Sequence, residues 1–236
     1  MKKLTLIALA FSFIFISCGR FGNKEMDGTK DMRIVCLSKH LTEYVFALGK
    51  GHNIVAVDLT STYPDSAMLL KTVGYHRALN PEGIIAMNPD LVIHSNDIGP
   101  ENVLPQIIKA GLNVKAFGGA NTIDSARILL KQLGKFFGVE KVADSLIKKM
   151  DDGIAKAADT LKALQLTDSL KVMIIHFGQR NNTYFVMSGR NGVGDKMIRL
   201  AGCTPATYNG KGARGMSAEA VAMANPDIII ATDFGY

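Results

Sequence analysis

The chain has 236 residues, enough for two small α/β lobes or one larger domain. Aromatic residues make up 7% and tryptophan is absent, which argues against a carbohydrate site walled by aromatic platforms. The net charge of +6 is scattered rather than gathered into a basic block interleaved with aromatics, so no nucleic-acid footprint is indicated. A mildly basic surface still suits an anionic ligand or an anionic membrane.

The N-terminus reads as an export signal. Lys2 and Lys3 form a positive start, and residues 4–16 are an apolar run too short for a comfortable ~20-residue membrane span. Phe15-Ile16-Ser17-Cys18 then resembles a bacterial lipobox, with Phe15 in place of the usual Leu. Residues 1–17 are therefore expected to be a lipoprotein signal peptide, and Cys18 the lipidated first residue of the mature chain. An ordinary secretory signal with an incidental Cys is the alternative. Residues 18–31, rich in Gly, Asn, Asp and charge, read as a flexible tether. Of the other two cysteines, Cys36 falls in a predicted strand and Cys203 in a loop. They are expected as unpaired, partly buried thiols.

From residue 32 apolar runs and amphipathic segments alternate. Residues 32–37 and 54–57 are predicted strands, and residues 41–48 a helix stopped by Gly49. Residues 59–71 are polar and Pro-containing, so a loop with at most a helical turn is expected. Asn80-Pro81-Glu82 is a helix start, with Asn as the cap, Pro in the first turn and a carboxylate where the macrodipole favours it. Asn88-Pro89 ends that helix. A strand at 91–94, a helix at 101–110, a strand at 114–117 and a helix at 122–137 follow. This alternation predicts a parallel, doubly wound sheet.

Residues 140–166 form the longest periodic segment. Val142, Leu146, Met150, Ile154, Ala157, Leu161 and Leu164 fall on one stripe. At ~1.5 Å per residue such a helix spans roughly 40 Å, long enough to brace two lobes. A packing helix inside one domain is the plainer alternative. Strands are then predicted at 170–175 and 184–187, with a loop at 179–183 between them, a helix at 195–200 and a last strand at 228–232. The unit from Glu82 to Ile93 recurs from Glu219 to Ile230: in both, a Glu precedes Asn-Pro-Asp by the same spacing. Two related lobes with something between them are expected, residues 32–138 and 167–236, joined by a bridging helix at 139–166. The second lobe reads as short by at least one αβ unit.

These residues carry a family resemblance. Arg33-Ile34-Val35, Leu41-Thr42-Glu43, Ala47-Leu48-Gly49, Val57-Asp58 and Thr60 to Pro64 resemble the opening of bacterial haem-binding lipoproteins. Those serve ABC importers, in the cluster that also holds siderophore- and cobalamin-binding proteins. Val73-Gly74-Tyr75-His76-Arg77-Ala78-Leu79, Val186 to Arg190, Leu200-Ala201-Gly202 and Ser217 to Ala220 are similar to the haem branch. The chain departs from it at His76, where an apolar residue is more usual, and at its early end. The resemblance implies a class III periplasmic binding protein: an α/β fold of two Rossmann-like lobes on one long helix, the C-terminal lobe incomplete. It further implies an exported, lipid-anchored, non-enzymatic monomer that carries haem (hemin) as transported ligand and meets a dimeric permease with its ATPase.

On residues alone, Tyr75 and Arg77 read as a pair capping a loop. The resemblance implies Tyr75 as axial ligand of the haem iron, since ferric iron accepts a phenolate oxygen, and Arg77 as its cationic partner or a propionate contact. His176, at the end of a predicted strand, is the candidate second ligand from the other lobe. His40 and His76 are weaker cleft candidates. His94 reads as structural and His52 as solvated. Glu82 and Glu219 stabilise helix starts, and the resemblance implies that each also docks on the permease.

Three rivals stay open. A cobalamin or ferric-siderophore carrier has the same fold. A Zn²⁺ or Mn²⁺ binder would gather His40, His76, His94 and His176. A nucleotide-dependent enzyme would use the Gly-rich run at 210–215, but a Pro-containing segment precedes that run where a strand is required. The Gly-rich run at 189–194 lacks the Lys-Ser/Thr of a phosphate loop and reads as a turn.

Overall fold

The structure is a computed structural model and describes residues 32–164, 169–177, 184–187, 189–206 and 214–232. The signal peptide, Cys18, the tether, residues 165–166 of the expected helix, the loop at 179–183 and most of the Gly-rich run at 210–215 lie outside the described residues. Residues after Met32 belong to one compact unit, Arg33–Tyr236.

The first sheet comprises β1 (Ile34–Cys36), β2 (Ile54–Val57), β3 (Lys71–Thr72), β4 (Leu91–His94) and β5 (Val114–Ala116), in the order β3-β2-β1-β4-β5. Every pairing is parallel. β1 and β4 are buried along their whole length, as their unbroken apolar sequences require. Helices α1 (Lys39–Ala47), α2 (Pro81–Ile85), α3 (Val103–Lys109) and α4 (Ile123–Phe136) connect and cover the strands. Val35, Leu37, Ala56, Ile84, Val92 and Ile107 form the core beneath. Local signals place the helix ends: the Asn80 side chain accepts from Glu82 N with Pro81 in the first turn, and Thr122 forms a capping box with Ser125. One element escapes the sequence pattern: β3 is a two-residue exposed edge strand with no apolar signature, while Asp65–Leu69 is the helical turn expected within the 59–71 loop, in 3₁₀ form.

Helix α5 (Glu140–Ala163) is the long one. Its fully buried residue is Ala143, against which Gly134 of α4 packs so closely that an added Cβ would lie 2.5 Å from the Ala143 Cβ. Arg127 of α4 reaches Asp151 of α5 at 2.8 Å. Further along, Leu161 lies against the turn at Gly202. The expected apolar stripe is thus only partly covered: Val142 and Leu164 are exposed, while Leu146, Met150 and Ile154 line a groove shared with Leu200.

The second sheet corrects the expectation of a parallel array throughout. It holds β6 (Lys171–Phe177), β7 (Tyr184–Val186), β8 (Thr204–Pro205), β9 (Arg214–Met216) and β10 (Ile228–Thr232), in the order β10-β6-β7-β9 with β8 beside β6. β7 runs antiparallel to both β6 and β9. The reason is connection length, since residues 178–183 are too few for the crossover that a parallel neighbour needs. Helices α6 (Val193–Leu200) and α7 (Ala218–Met223) complete this half, over a core of Met173, Ile175, Val186, Ala206 and Met216. Although its sequence repeats that of β4, β10 sits at a sheet edge and leaves Ile228, Ile229 and Ile230 exposed.

Cys36 and Cys203 are both free thiols. Cys36 is fully rather than partly buried, and that burial pushes its thiol up to about 12. Among the described residues no helix is long and apolar enough to cross a membrane.

Candidate functional site

In an open parallel sheet, ligands bind beyond the carboxyl ends of the strands where the strand order reverses. In the first sheet that point lies between β1 and β4. A cavity of about 740 Å³ opens there, within the range of small-molecule sites. Its wall is built element by element. The end of β1 and start of α1 contribute Ser38, Lys39, His40 and Glu43, and the segment after β2 contributes Leu59, Thr60 and Thr62. The segment after β3 contributes Tyr75, His76 and Arg77, the turn after β4 contributes Asp97, and β6 of the second sheet contributes His176. All five residues proposed from sequence as ligand contacts therefore face one space. His94 does not join them: it is buried and its Nδ1 lies 2.6 Å from the Ser95 carbonyl oxygen. His52 is exposed in a 3₁₀ turn.

The loop that carries Tyr75 is pinned by its backbone. Gly74 adopts φ +101°, a conformation that favours glycine, and its carbonyl accepts from Leu59 N at 2.8 Å. The Tyr75 carbonyl accepts from Ala78 N at 2.7 Å, and the His76 carbonyl accepts from Gly99 N at 2.8 Å. A Cβ at Gly99 would lie 3.2 Å from the Arg77 carbonyl oxygen, so the two segments meet at close range. On this support the Tyr75 side chain stands 40% exposed towards the cavity, with Arg77 beside it more exposed still.

Behind them runs a hydrogen-bond network that sequence reasoning missed. Asp58, at the end of β2, is buried and accepts from Thr60 N (3.1 Å), Thr60 Oγ1 (2.5 Å) and Ser61 Oγ (2.6 Å). The same carboxylate faces His76 Nδ1 at 3.2 Å, while His76 Nε2 faces Asp97 at 3.6 Å. Asp97 takes a short hydrogen bond from Ser95 Oγ, whose oxygen lies 3.1 Å from Ser38 Oγ, and Ser38 Oγ lies 2.8 Å from His40 Nδ1. One chain of contacts thus joins His76 to His40. Burial pushes the Asp97 carboxyl up, but the Ser95 hydroxyl, His76 and Arg77 together outweigh it and hold it below the usual carboxylate range. His40 is held below its ordinary value, because desolvation outweighs the Gly118 backbone and the nearby acids Asp97 and Glu43. His40 Nε2 is buried, and the nearby Gly118 backbone does not meet it in hydrogen-bond geometry. Across the cavity, His176 Nδ1 lies 2.7 Å from Thr232 Oγ1. The signal for Asp58 and Asp97 was present in sequence, since each closely follows an apolar strand at its carboxyl end.

Arranged this way, the site offers a phenol and imidazoles for a metal centre, Lys39 and Arg77 for anionic substituents, and Leu59 for an apolar face. Among the described residues no group of three or more His, Cys, Asp or Glu is arranged to hold a bare metal ion, so the Zn²⁺ or Mn²⁺ rival has no donor cluster here. Glu82 and Glu219 lie outside the cavity wall, both exposed in the first turns of α2 and α7. The Ser217 hydroxyl and the residue's own backbone N–H hold the Glu219 carboxyl below its usual range.

A two-sheet α/β chain with its cavity at the carboxyl strand ends has the architecture of a class III solute-binding protein. Residues 34–234 match the family described as periplasmic binding protein, and the chain belongs to that family. It is 28% identical over 203 residues to the uncharacterized ABC transporter substrate-binding lipoprotein YvrC of Bacillus subtilis, covering 85% of this chain and 63% of that one. It is also 28% identical over 142 residues to the vitamin B12-binding protein of Pectobacterium carotovorum, covering 60% of this chain and 51% of that one. The chain therefore spans between half and two thirds of the length of these curated relatives. In structure it resembles a periplasmic haem-binding protein from Pseudomonas aeruginosa, with a TM-score of 0.79 and 30% identity, covering 87% of this chain and 73% of that one.

Proposed function

We propose that this protein captures haem in the cavity at the strand ends and delivers it to an ABC importer on the extracytoplasmic side of a membrane. The observation that carries the reading is Tyr75, a half-exposed phenol on a pinned loop, with Arg77 beside it and His176 across the same cavity. Ferric haem takes a phenolate as axial ligand. The Arg77 guanidinium, which lines the same cavity, brings positive charge to the site. The same guanidinium and Lys39 suit the two propionates. His176 serves as the second axial group or as the facing wall, and His40 as a lesser wall contact. The likeness to a haem-binding structure supports this cargo over the corrinoid of the B12-binding relative.

In this reading residues 32–138 and 167–236 are two lobes on the α5 brace, Cys18 carries the lipid that holds the protein at the membrane, and Glu82 and Glu219 dock one on each permease subunit. The test is optical. Haemin added to the purified protein produces a saturable Soret change and a tyrosinate-to-iron charge-transfer band, and Tyr75→Ala abolishes the band. An unaltered spectrum in that variant overturns the ligand assignment. Binding of cyanocobalamin with indifference to haemin replaces the cargo.

A further inference from the structure

We propose that His76 is a positioning residue that holds the Tyr75 phenol in place, and is not itself a ligand. This rests on the haem reading above and sharpens it. Sequence alone placed His76 among the cleft candidates, because it lies between Tyr75 and Arg77. The structure sets both of its ring nitrogens against carboxylates. Nδ1 meets the buried Asp58 carboxylate at 3.2 Å, and Nε2 meets Asp97 at 3.6 Å. The ring is only 15% exposed. Turning Nδ1 to a ligand would cost the Asp58 carboxylate one of its four hydrogen bonds, at a place where no solvent can replace it.

What His76 does touch is Tyr75. The two rings meet edge to face, with centroids 4.5 Å apart and planes at 63°. Of the two rings, the imidazole is the more buried, at 15% exposed, and it alone faces two carboxylates. Here the anchor is the imidazole, held by acids that follow β2 and β4 on either side of β1. The phenol therefore rests on a rigid plate whose position is set by the sheet, and its swing about χ1 is limited on that side. A ligand oxygen fixed before its metal arrives is the arrangement by which outer contacts tune metal affinity.

Haemin titrations of the wild type, Tyr75→Ala, His76→Ala and His76→Asn test this, with circular dichroism confirming the fold of each. The His76→Ala variant is expected to keep the tyrosinate band of the wild type while losing affinity about tenfold, the usual scale for an outer-shell contact. His76→Asn retains a donor where Nδ1 meets Asp58, and is expected to recover part of that loss. Wild-type affinity in His76→Ala overturns the proposal. So does loss of the band in folded His76→Ala, which would make His76 the ligand. Should His76→Ala fail to fold, Asp97→Ala decides, because it frees one side of the ring at an exposed position: reduced affinity with the band kept supports the anchor, and unchanged affinity overturns it. A band that survives Tyr75→Ala is a different failure, that of the ligand reading, and takes the positioning role with it.

Discussion

Asp90 and Asp227 fasten the first strand of their respective sheets in the same way. Asp90 accepts the backbone N–H of Arg33 at 3.0 Å and donates its own N–H to the Arg33 carbonyl at 2.8 Å. Asp227 accepts the N–H of Lys171 at 2.7 Å and donates to the Lys171 carbonyl at 2.8 Å. Each Asp follows an Asn held at φ 46° and a Pro, which together turn the chain out of a short helix. The repeated Asn-Pro-Asp is therefore a fold device, a helix stop joined to a strand clamp. Replacing Asp90 with Ala should lower unfolding stability by about 1–2 kcal/mol, the scale of a charge-assisted hydrogen bond. Asp90→Asn keeps an acceptor and should lose less. Urea midpoints measure both, with haemin binding as a control for the site.

His40 gives the fold a pH dependence whose sign is fixed. Burial holds its imidazole below the ordinary value, so near neutral pH the folded chain keeps it uncharged. As pH falls below about 6.5 the unfolded chain takes up a proton that the folded chain resists, and stability is lost. Asp97 acts at lower pH: its depressed carboxyl contributes stability above the usual carboxylate range, and that is lost only as pH falls through its folded value. Melting curves between pH 7 and pH 5 should therefore be flatter in His40→Asn than in the wild type. Equal slopes would show that His40 titrates as it does in water.

Much of the first sheet was legible because its strands are continuous apolar runs and its helix starts carry their own caps, as at Asn80 and Thr122. Residues 71–72, 204–205 and 214–216 were not read as strands. Each pairs through its backbone at the margin of a sheet, and nothing in two or three mixed residues marks that role. The repeat was read correctly as a unit, but its surroundings were not: Leu91–His94 is buried at the centre and Ile228–Thr232 is exposed at an edge. At the site, the strand-end rule and the resemblance gathered Tyr75, Arg77, His40 and His176. The role of His76 needed the sheet order. Asp58 and Asp97 follow β2 and β4, which flank β1, and only that arrangement puts the two acids on opposite sides of one imidazole.

Glu82 and Glu219 allow the proposed docking to be tested apart from cargo binding, because neither lines the cavity. Both are exposed in the first turn of a short helix, where the helix dipole favours a carboxylate with no docking partner needed. The fold alone thus accounts for an acid at these positions, and the distinguishing measurement is delivery. With Glu82→Lys and Glu219→Lys combined, haemin titration should be unchanged, because neither residue lines the cavity. Transfer of haemin to vesicles that carry the importer, or stimulation of its ATPase, should fall by about tenfold for each reversed charge, equivalent to 1.4 kcal/mol at each contact. Raised salt should weaken wild-type docking and leave the double variant little affected. Should the double variant deliver haemin at the wild-type rate, the two carboxylates serve only their helix starts and the permease meets a different face.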